Sequence, residues 1–375
     1  MRIVYLTDQV YLAGGAEKIL TQKVNYWADV LDCDVLLITS DQLKKLPFYK
    51  LSEKVKHHDL EMGYPSGSLY HPKNIGRFRE QYQKLKVALQ SFQPDAVFVV
   101  SQRIFHSITP FAAKGFPTYF EYHTSWYGYK LTKERLPLAY QIKEKAIRKW
   151  LDFVESKYTH IVYLNQSEFD YFKKKNGLII PNFFDYTEPP KNAVRKKIAV
   201  SLGRLTFQKG YDLLIDTWAG LDAKVEGWEM HVYGEGEDRQ KLEAQLTQHQ
   251  FRNPFIFQPE IRHVGEKLDE AAVYVMSSRF ETFPMVLLEA LSHGLPVVSF
   301  DCPSGPSSIL IPGEDSVLAE PMDTKALASA LITVMQDENK RAVMSEKALE
   351  NVRRFSPEHI MKLWYDLVRS NSRAV

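Results

Sequence analysis

Two doubly wound α/β domains are predicted by the sequence, and three observations predict them. Short apolar runs rich in Val, Ile, Tyr and Phe alternate with stretches of helical periodicity along both halves of the chain. That is the pattern of parallel strands buried on both faces with helices packed over them. A polar segment bearing Pro189 and Pro190 separates the two halves, and 375 residues suit two cores better than one.

In the first half the strands are "RIVYLTD", "DVLLITS", "DAVFVVS", "TYFEYH" and "HIVYLN". Between several of them lie helical patterns such as "AEKILTQKVNYWADV" and "RFREQYQKLKVALQSF". The second half repeats the grammar with "KIAVSLGR", "EMHVYGEG", "FIFQP", "AVYVMSS" and "PVVSFD". The expectation is two Rossmann-like domains facing each other across a cleft. They cover residues 1–187 and 188–356, with the linker in "FFDYTEPPKNAVRKK" and a final segment at 357–375. That segment, "SPEHIMKLWYDLVRS", starts a helix at Ser-Pro with Glu358 in its first turn. Ile360, Leu363, Trp364 and Leu367 form an apolar face that must dock.

Hydrophobic content of 45% and charged content of 25% are ordinary for a globular chain. The two cysteines, Cys33 and Cys302, are far apart and make no ligand pattern, which argues against a disulfide framework or structural zinc and fits a reducing cytoplasm. The opening "MRIVYLTDQV" reads as a strand rather than a signal peptide. No apolar run reaches the roughly 18 residues of a membrane span, so a soluble chain is expected. Net charge is +2, and no nucleic-acid partner is expected. The charge is unevenly shared: through Tyr186 there are 26 Lys and Arg against 19 Asp and Glu, and 22 against 27 thereafter. The halves are therefore suited to different partners.

Ligands of doubly wound sheets sit beyond the carboxyl ends of the strands, so residues there are the functional candidates. Gly14-Gly15 follows the first strand and leads into a helix. The pair either lets backbone amides approach an anion or closes a plain β–α turn. Arg204 and Lys209 stand five apart after "KIAVSLGR", one planar fork and one point charge. They suit a diphosphate or are two solvated loop cations. Gly234-x-Gly236 resembles a dinucleotide fingerprint, but Arg239 occupies the place of the third glycine, so a plain turn fits equally well. Asp32-Cys33-Asp34 has a metal-binding pattern at the wrong end of its strand. His123 ends "TYFEYH" and is either a ligand group or a structural histidine.

The densest signal is "RFETFPMVLLEALSHGLPVVSFDCPSGP". Pro284 suits the start of a helix whose first amides, on Met285 and Val286, would meet an anion. Glu281 lies just before that start. Glu289 lies one turn beyond Met285, on the face it shares with His293. The two carboxylates either accept paired hydrogen bonds from sugar hydroxyls, or Met285, Glu289 and His293 form a solvent stripe. Residues 101–150 carry nine Lys and Arg against three Asp and Glu. Leu138, Ile142, Ala146 and Trp150 form one helical face there, edged by Lys143, Lys145, Arg148 and Lys149. That face fits an anionic membrane, a pyrophosphate-bearing lipid acceptor or plain solvent.

Taken together, "GGAEK", "IIPNFFD", "GRLTFQKG", and Glu281 spaced from Glu289 before "ALSHGLPVVSFDCPSGP" resemble a retaining glycosyltransferase of family 4, with the GT-B fold. The resemblance covers nearly the whole chain. It implies that Arg204 and Lys209 hold the donor diphosphate, that Glu289 binds the ribose and that Glu281 binds the transferred sugar. Amides around Phe283, Met285 and Val286, with Gly14 and Gly15 opposite, would surround the phosphates, and His123 would stand near the sugar's O6. The final helix would cross back onto the first, acceptor-binding domain, and the second domain would bind the nucleotide sugar. No cofactor or metal is expected beyond a donor such as a UDP-sugar. The acceptor would be a saccharide, carried on a lipid during surface-polysaccharide synthesis at the inner face of the membrane. Three departures leave the donor open: Thr282 for a glycine, Phe183-Phe184 for a small residue, and His293 before "GLPVV". A UDP-sugar 2-epimerase of the same architecture and a non-catalytic saccharide- or nucleotide-binding protein are the competing readings. The broken glycine fingerprint disfavours a dehydrogenase.

Overall fold

The computed structural model describes residues 1–64, 72–134, 138–185, 195–221, 225–261 and 264–372. Pro189 and Pro190 lie outside them. The chain divides into two compact units. One comprises Met1–Thr124, Lys130–Phe183 and Glu358–Val375, the other Ser125–Tyr129 and Phe184–Pro357.

The first unit is built on a seven-stranded sheet. Its strands are β1 (Arg2–Thr7), β2 (Asp34–Thr39), β3 (Val55–Asp59), β4 (Ala96–Val99), β5 (Thr118–Glu121), β6 (His160–Tyr163) and β7 (Gly177–Ile179). They lie in the order β3-β2-β1-β4-β5-β6-β7 and every pairing is parallel. Helices α1 (Gly15–Asp29), α2 (Ile75–Phe92), α3 (Ile104–Ala112), α4 (Trp126–Glu134), α5 (Leu138–Glu155) and α6 (Gln166–Phe172) lie between them along the chain, the start of α4 through Tyr129 belonging to the second unit. Ile3, Val4, Tyr5 and Leu6 of the central strand are fully buried, as a strand covered on both faces requires. Strand order reverses between β1 and β4, so the crevice for a ligand opens beyond their carboxyl ends.

The second unit repeats this plan with six parallel strands. These are β8 (Ile198–Leu202), β9 (Glu229–Tyr233), β10 (Phe255–Gln258), β11 (Val273–Met276), β12 (Val297–Phe300) and β13 (Ser316–Ala319). Helices α7 (Tyr211–Leu221), α8 (Arg239–Leu246), α9 (Gly265–Glu270), α10 (Met285–Ser292), α11 (Thr324–Met335) and α12 (Glu338–Asn351) complete it. The order β10-β9-β8-β11-β12-β13 reverses between β8 and β11. Two doubly wound α/β units are thus present, as expected.

The final helix, α13 (Pro357–Ser372), belongs to the first unit from Glu358 onward. Its buried face consists of Ile360, Met361, Trp364 and Val368, whereas Leu363, expected inside, is exposed. The spacing of Ile360, Trp364 and Val368 carries the seam straight along one side of the helix, and Leu363 falls off it. Trp364 meets the Phe98 ring edge-on at 5.3 Å, and Asn371 donates to the Tyr119 hydroxyl at 3.0 Å.

Candidate functional site

Within the second unit, the loops leaving β8 and β11 meet at the strand-order reversal. The β8 loop ends in a 3₁₀ turn, Phe207–Lys209, followed by Gly210 at φ +64°. A Cβ on Gly210 would lie 2.2 Å from the Ser277 carbonyl oxygen, so only glycine lets the loop press against the end of β11. Several bonds knit the two loops. Ser277 Oγ donates to the Lys209 carbonyl at 3.0 Å, and the Arg279 amide donates to Gln208 at 2.8 Å. The Arg279 guanidinium grips Asp212 with two bonds of 2.8 and 2.6 Å.

This knitting brings Lys209 and Glu281 together. Lys209 Nζ lies 2.6 Å from Glu281 Oε1, and Ser278 Oγ donates to the same oxygen at 2.7 Å. Gln208 Nε2 spans the Phe280 carbonyl at 3.1 Å and Glu281 Oε2 at 3.4 Å. Glu281 is 6% exposed, and a Cβ on Gly305 would come within 3.0 Å of its own Cβ. A carboxylate in so closed a place requires its cation and hydrogen bonds. Burial, followed by the Glu281 charge, pushes the neighbouring Cys302 thiol well up, which leaves it an inert protonated group.

Helix α10 starts immediately after this pair. Pro284 is its cap residue rather than its first helical residue, and it offers no side chain to the first amides. The Met285 and Val286 amides thus open the positive end of the helix. Phe283 is buried, with its ring 5.8 Å from that of Phe355. Leu287, Leu288, Ala290 and Leu291 are buried, while Met285, Val286, Glu289 and His293 are half-buried. The charge within the apolar run therefore sits on the open stripe of the helix. That stripe is compatible with solvent and with a polyhydroxyl ligand. His293 is tied down at its far end, with Nδ1 2.7 Å from Asp269 Oδ1. Arg204 is exposed, and no bond to it is recorded among the described residues.

The Gly234-x-Gly236 pair has a structural reason. A Cβ on Gly234 would lie 2.0 Å from the Gly203 oxygen, and one on Gly236 would lie 2.3 Å from the Leu205 oxygen. The glycines let the loops after β8 and β9 run in backbone contact, with the Leu205 amide bonded to Glu235 at 2.9 Å. Asp32 and Asp34 pair with Lys54 and Lys56 at 3.4 and 2.8 Å.

In the first unit, Gly14 caps α1 and Gly15 begins it. The Glu17 carboxylate folds back over Gly14, where an added Cβ would meet Oε2 at 2.0 Å, and also accepts from Gln9 at 2.8 Å. The positive end of α1 thus already holds an acid. Space around Gly15 is open. His123 follows β5, its Nε2 3.3 Å from Glu121 Oε2. A crevice of about 170 Å³ lies at the reversal between β1 and β4, lined by Asp8, Gln9, Glu17, Ser101 and Gln102 among others. Burial pushes the Asp8 carboxyl up, against the Ser101 bond and the Arg103 charge. Asp8 and Ser101 end the runs "RIVYLTD" and "DAVFVVS", where strand-end position was the available signal. Arg148, expected at the basic edge of the helical face of α5, turns inward instead, donating to Asp152 at 2.9 Å, to Tyr122 at 3.2 Å and to Glu155. The buried Glu155 carboxylate recruits it. Trp150 and Lys149 are exposed, and the side chains of Leu138, Ile142 and Lys143 lie outside the described set. No described helix is long and apolar enough to cross a membrane.

Residues 184–351, nearly all of the second unit, match the sequence profile of the family described as "Glycosyl transferases group 1". The fold is that of the GT-B glycosyltransferases. The lipopolysaccharide outer core galactosyltransferase WaaB, in its apo form, superposes with a TM-score of 0.70 at 18% identity over 99% of each chain. The complex of Anabaena HepE with UDP gives 0.76 at 18% identity, covering 99% of this chain and 100% of that one. In sequence, the chain is 23% identical to the amylovoran biosynthesis glycosyltransferase AmsD of Erwinia amylovora, over 98% of this chain and 99% of that one. Together these findings give the chain the GT-B fold and a second unit that matches the group 1 glycosyl transferases.

Proposed function

We propose that the protein is a retaining hexosyltransferase of the family 4 kind. It moves a hexose or N-acetylhexosamine from a UDP-sugar to a hydroxyl of a saccharide acceptor carried on a lipid. The observation that carries this reading is the Lys209–Glu281 pair at the amino end of α10, within the segment that matches group 1 glycosyltransferases. A diphosphate there meets the Lys209 ammonium, the exposed Arg204 guanidinium and the Met285 and Val286 amides. Charge developing on the departing diphosphate is stabilised by these fixed groups. Glu281 binds hydroxyls of the transferred sugar, and Glu289, one turn along α10, binds those of the ribose.

The bond between the anomeric carbon and the diphosphate oxygen breaks while the acceptor oxygen bonds to the same face of that carbon. The acceptor's proton passes to the leaving phosphate oxygen, so charge and atoms balance without an enzyme base. The UDP complex of HepE, the lipopolysaccharide outer core galactosyltransferase WaaB and the amylovoran biosynthesis glycosyltransferase AmsD support this choice of donor and acceptor. Exposed Lys145, Lys149 and Trp150 on α5 suit the protein to an anionic membrane surface that presents such an acceptor. The test is a screen of UDP-hexoses, UDP-N-acetylhexosamines and GDP-mannose for release of the nucleotide, with and without lipid-linked saccharides. Acceptor-dependent UDP release with retained anomeric configuration is expected. Isomerisation of a UDP-sugar without any acceptor overturns the reading in favour of an epimerase.

A further inference from the structure

Glu121 is fully buried on β5, and its Oε2 receives two groups at once. Lys23 Nζ of α1, also buried, lies 2.5 Å away, and His123 Nε2 lies 3.3 Å away. The ammonium is further enclosed by the Trp364 ring of α13, whose centroid is 5.0 Å away. We propose that Glu121 is a positioning residue: by accepting a hydrogen bond from His123 Nε2–H it fixes that tautomer and leaves Nδ1 as the ring's hydrogen-bond acceptor for a ligand hydroxyl. This rests on the reading of His123 as part of a sugar-binding site.

Three observations carry the inference. The carboxylate is ionised, because burial, which opposes charge, is outweighed by Lys23 and His123, and the carboxyl is pulled below its ordinary value. An ionised carboxylate only accepts, so the ring nitrogen facing it must carry the proton. Lys23 already balances the charge of Glu121, so the contact asks of His123 a proton position rather than a charge.

Second, the arrangement is not one that packing would choose. A buried ion pair is replaceable by apolar residues at little loss, and a purely structural pair would satisfy both oxygens. Here Glu121 Oε1 has no recorded partner among the described residues, whereas Oε2 serves both Lys23 and His123. Third, His123 is the most exposed of the three, its side chain 11% exposed against 1% for Lys23 and 0% for Glu121. Such an outer-shell carboxylate commonly sets the tautomer and orientation of a working histidine.

The test is ¹⁵N NMR of the full chain labelled at histidine, with the His123 signal identified by its loss in His123→Asn. Read at a pH where the ring is neutral, the wild type is expected to show the His123 proton on Nε2; a ring protonated at Nδ1, or without preference, overturns the inference. Removing both charges with K23M/E121L is expected to abolish the tautomer preference and lower kcat roughly ten- to a hundredfold, with little change in donor KM. K23M/E121Q, which keeps a carbonyl acceptor, should restore both. A folded K23M/E121L protein with unchanged tautomer and kcat contradicts the proposal. Should no nucleotide sugar be turned over even by the wild type, the proposed function fails while the tautomer comparison still decides this point.

Discussion

The ammonium of Lys209 lies 2.6 Å from the carboxylate of Glu281, although the two residues are 72 apart in the chain. Each loop end therefore brings the charge that the other requires. In the free protein they neutralise each other, and under the proposed function a diphosphate at α10 would share the ammonium that Glu281 holds.

That sharing separates binding from transfer. Glu281→Ala should leave UDP affinity nearly intact, since it frees Lys209 for phosphate. It should lower kcat/KM by roughly a hundredfold, the loss of a charged hydrogen-bond partner to the sugar. Calorimetry with UDP beside a transfer assay checks both, and an active Glu281→Ala enzyme contradicts the assignment.

Lys209→Met should reduce both turnover and stability. Glu281 would be left in a closed pocket with Ser278 and Gln208 as its donors among the described residues, which should cost up to about 3 kcal/mol in urea unfolding. K209M/E281Q should regain most of that stability and none of the activity. Equal stability of the single variant and the wild type would show that the pair contributes nothing to the fold.

The glycines divide into two kinds. Gly234→Ala forces a Cβ to within 2.0 Å of the Gly203 oxygen and should destabilise the second unit by about 2 kcal/mol, read by thermal unfolding. Gly15→Ala enters open space in the first turn of α1 and should hold or raise stability. If the Gly15 amide approaches the donor phosphates, that same substitution lowers kcat without lowering Tm; unchanged kcat removes Gly15 from the site.

How far these features could be read in advance depended on what each residue does. The apolar strands β1, β2, β4, β8 and β11 were legible because both faces are covered. Strand β3, "VKHHD", was not, since it sits at a sheet edge and exposes Lys56, His57 and His58. β7 and β13 are three- and four-residue edge strands, too short to show a period. Lys209 and Glu281 stood out one by one through loop position and motif, but their contact is tertiary and left no local trace. Gly234 and Gly236 left a nucleotide-adjacent loop and a plain turn equally open because a glycine that accommodates a neighbouring backbone looks the same in sequence as one that accommodates a phosphate. Glu121 interrupts the apolar run "TYFEYH" much as Glu289 interrupts "MVLLEAL", a signal that became interpretable only with Lys23 beside it.

Acid should weaken the first unit. Glu121 and Glu155 are both held at about 2 against an ordinary 4.5. For each, burial works upward and is outweighed, by Lys23 and His123 at Glu121 and by His106, Arg148 and Lys174 at Glu155. A depressed folded pKa adds stability that is complete above the unfolded value and is lost as pH falls toward the folded one. The urea midpoint should therefore hold near pH 6 and drop between pH 4.5 and pH 2, by about 2 kcal/mol per group at pH 3. A flat midpoint across that window would mean that neither carboxylate is ion-paired in the folded chain.

The most direct test of the central claim is a crystal structure of the protein with UDP. The β-phosphate is expected within hydrogen-bonding distance of Lys209 Nζ, Arg204 and the Met285 or Val286 amide, with Glu289 on the ribose hydroxyls. UDP bound away from the amino end of α10, with the Lys209–Glu281 pair untouched, would contradict it.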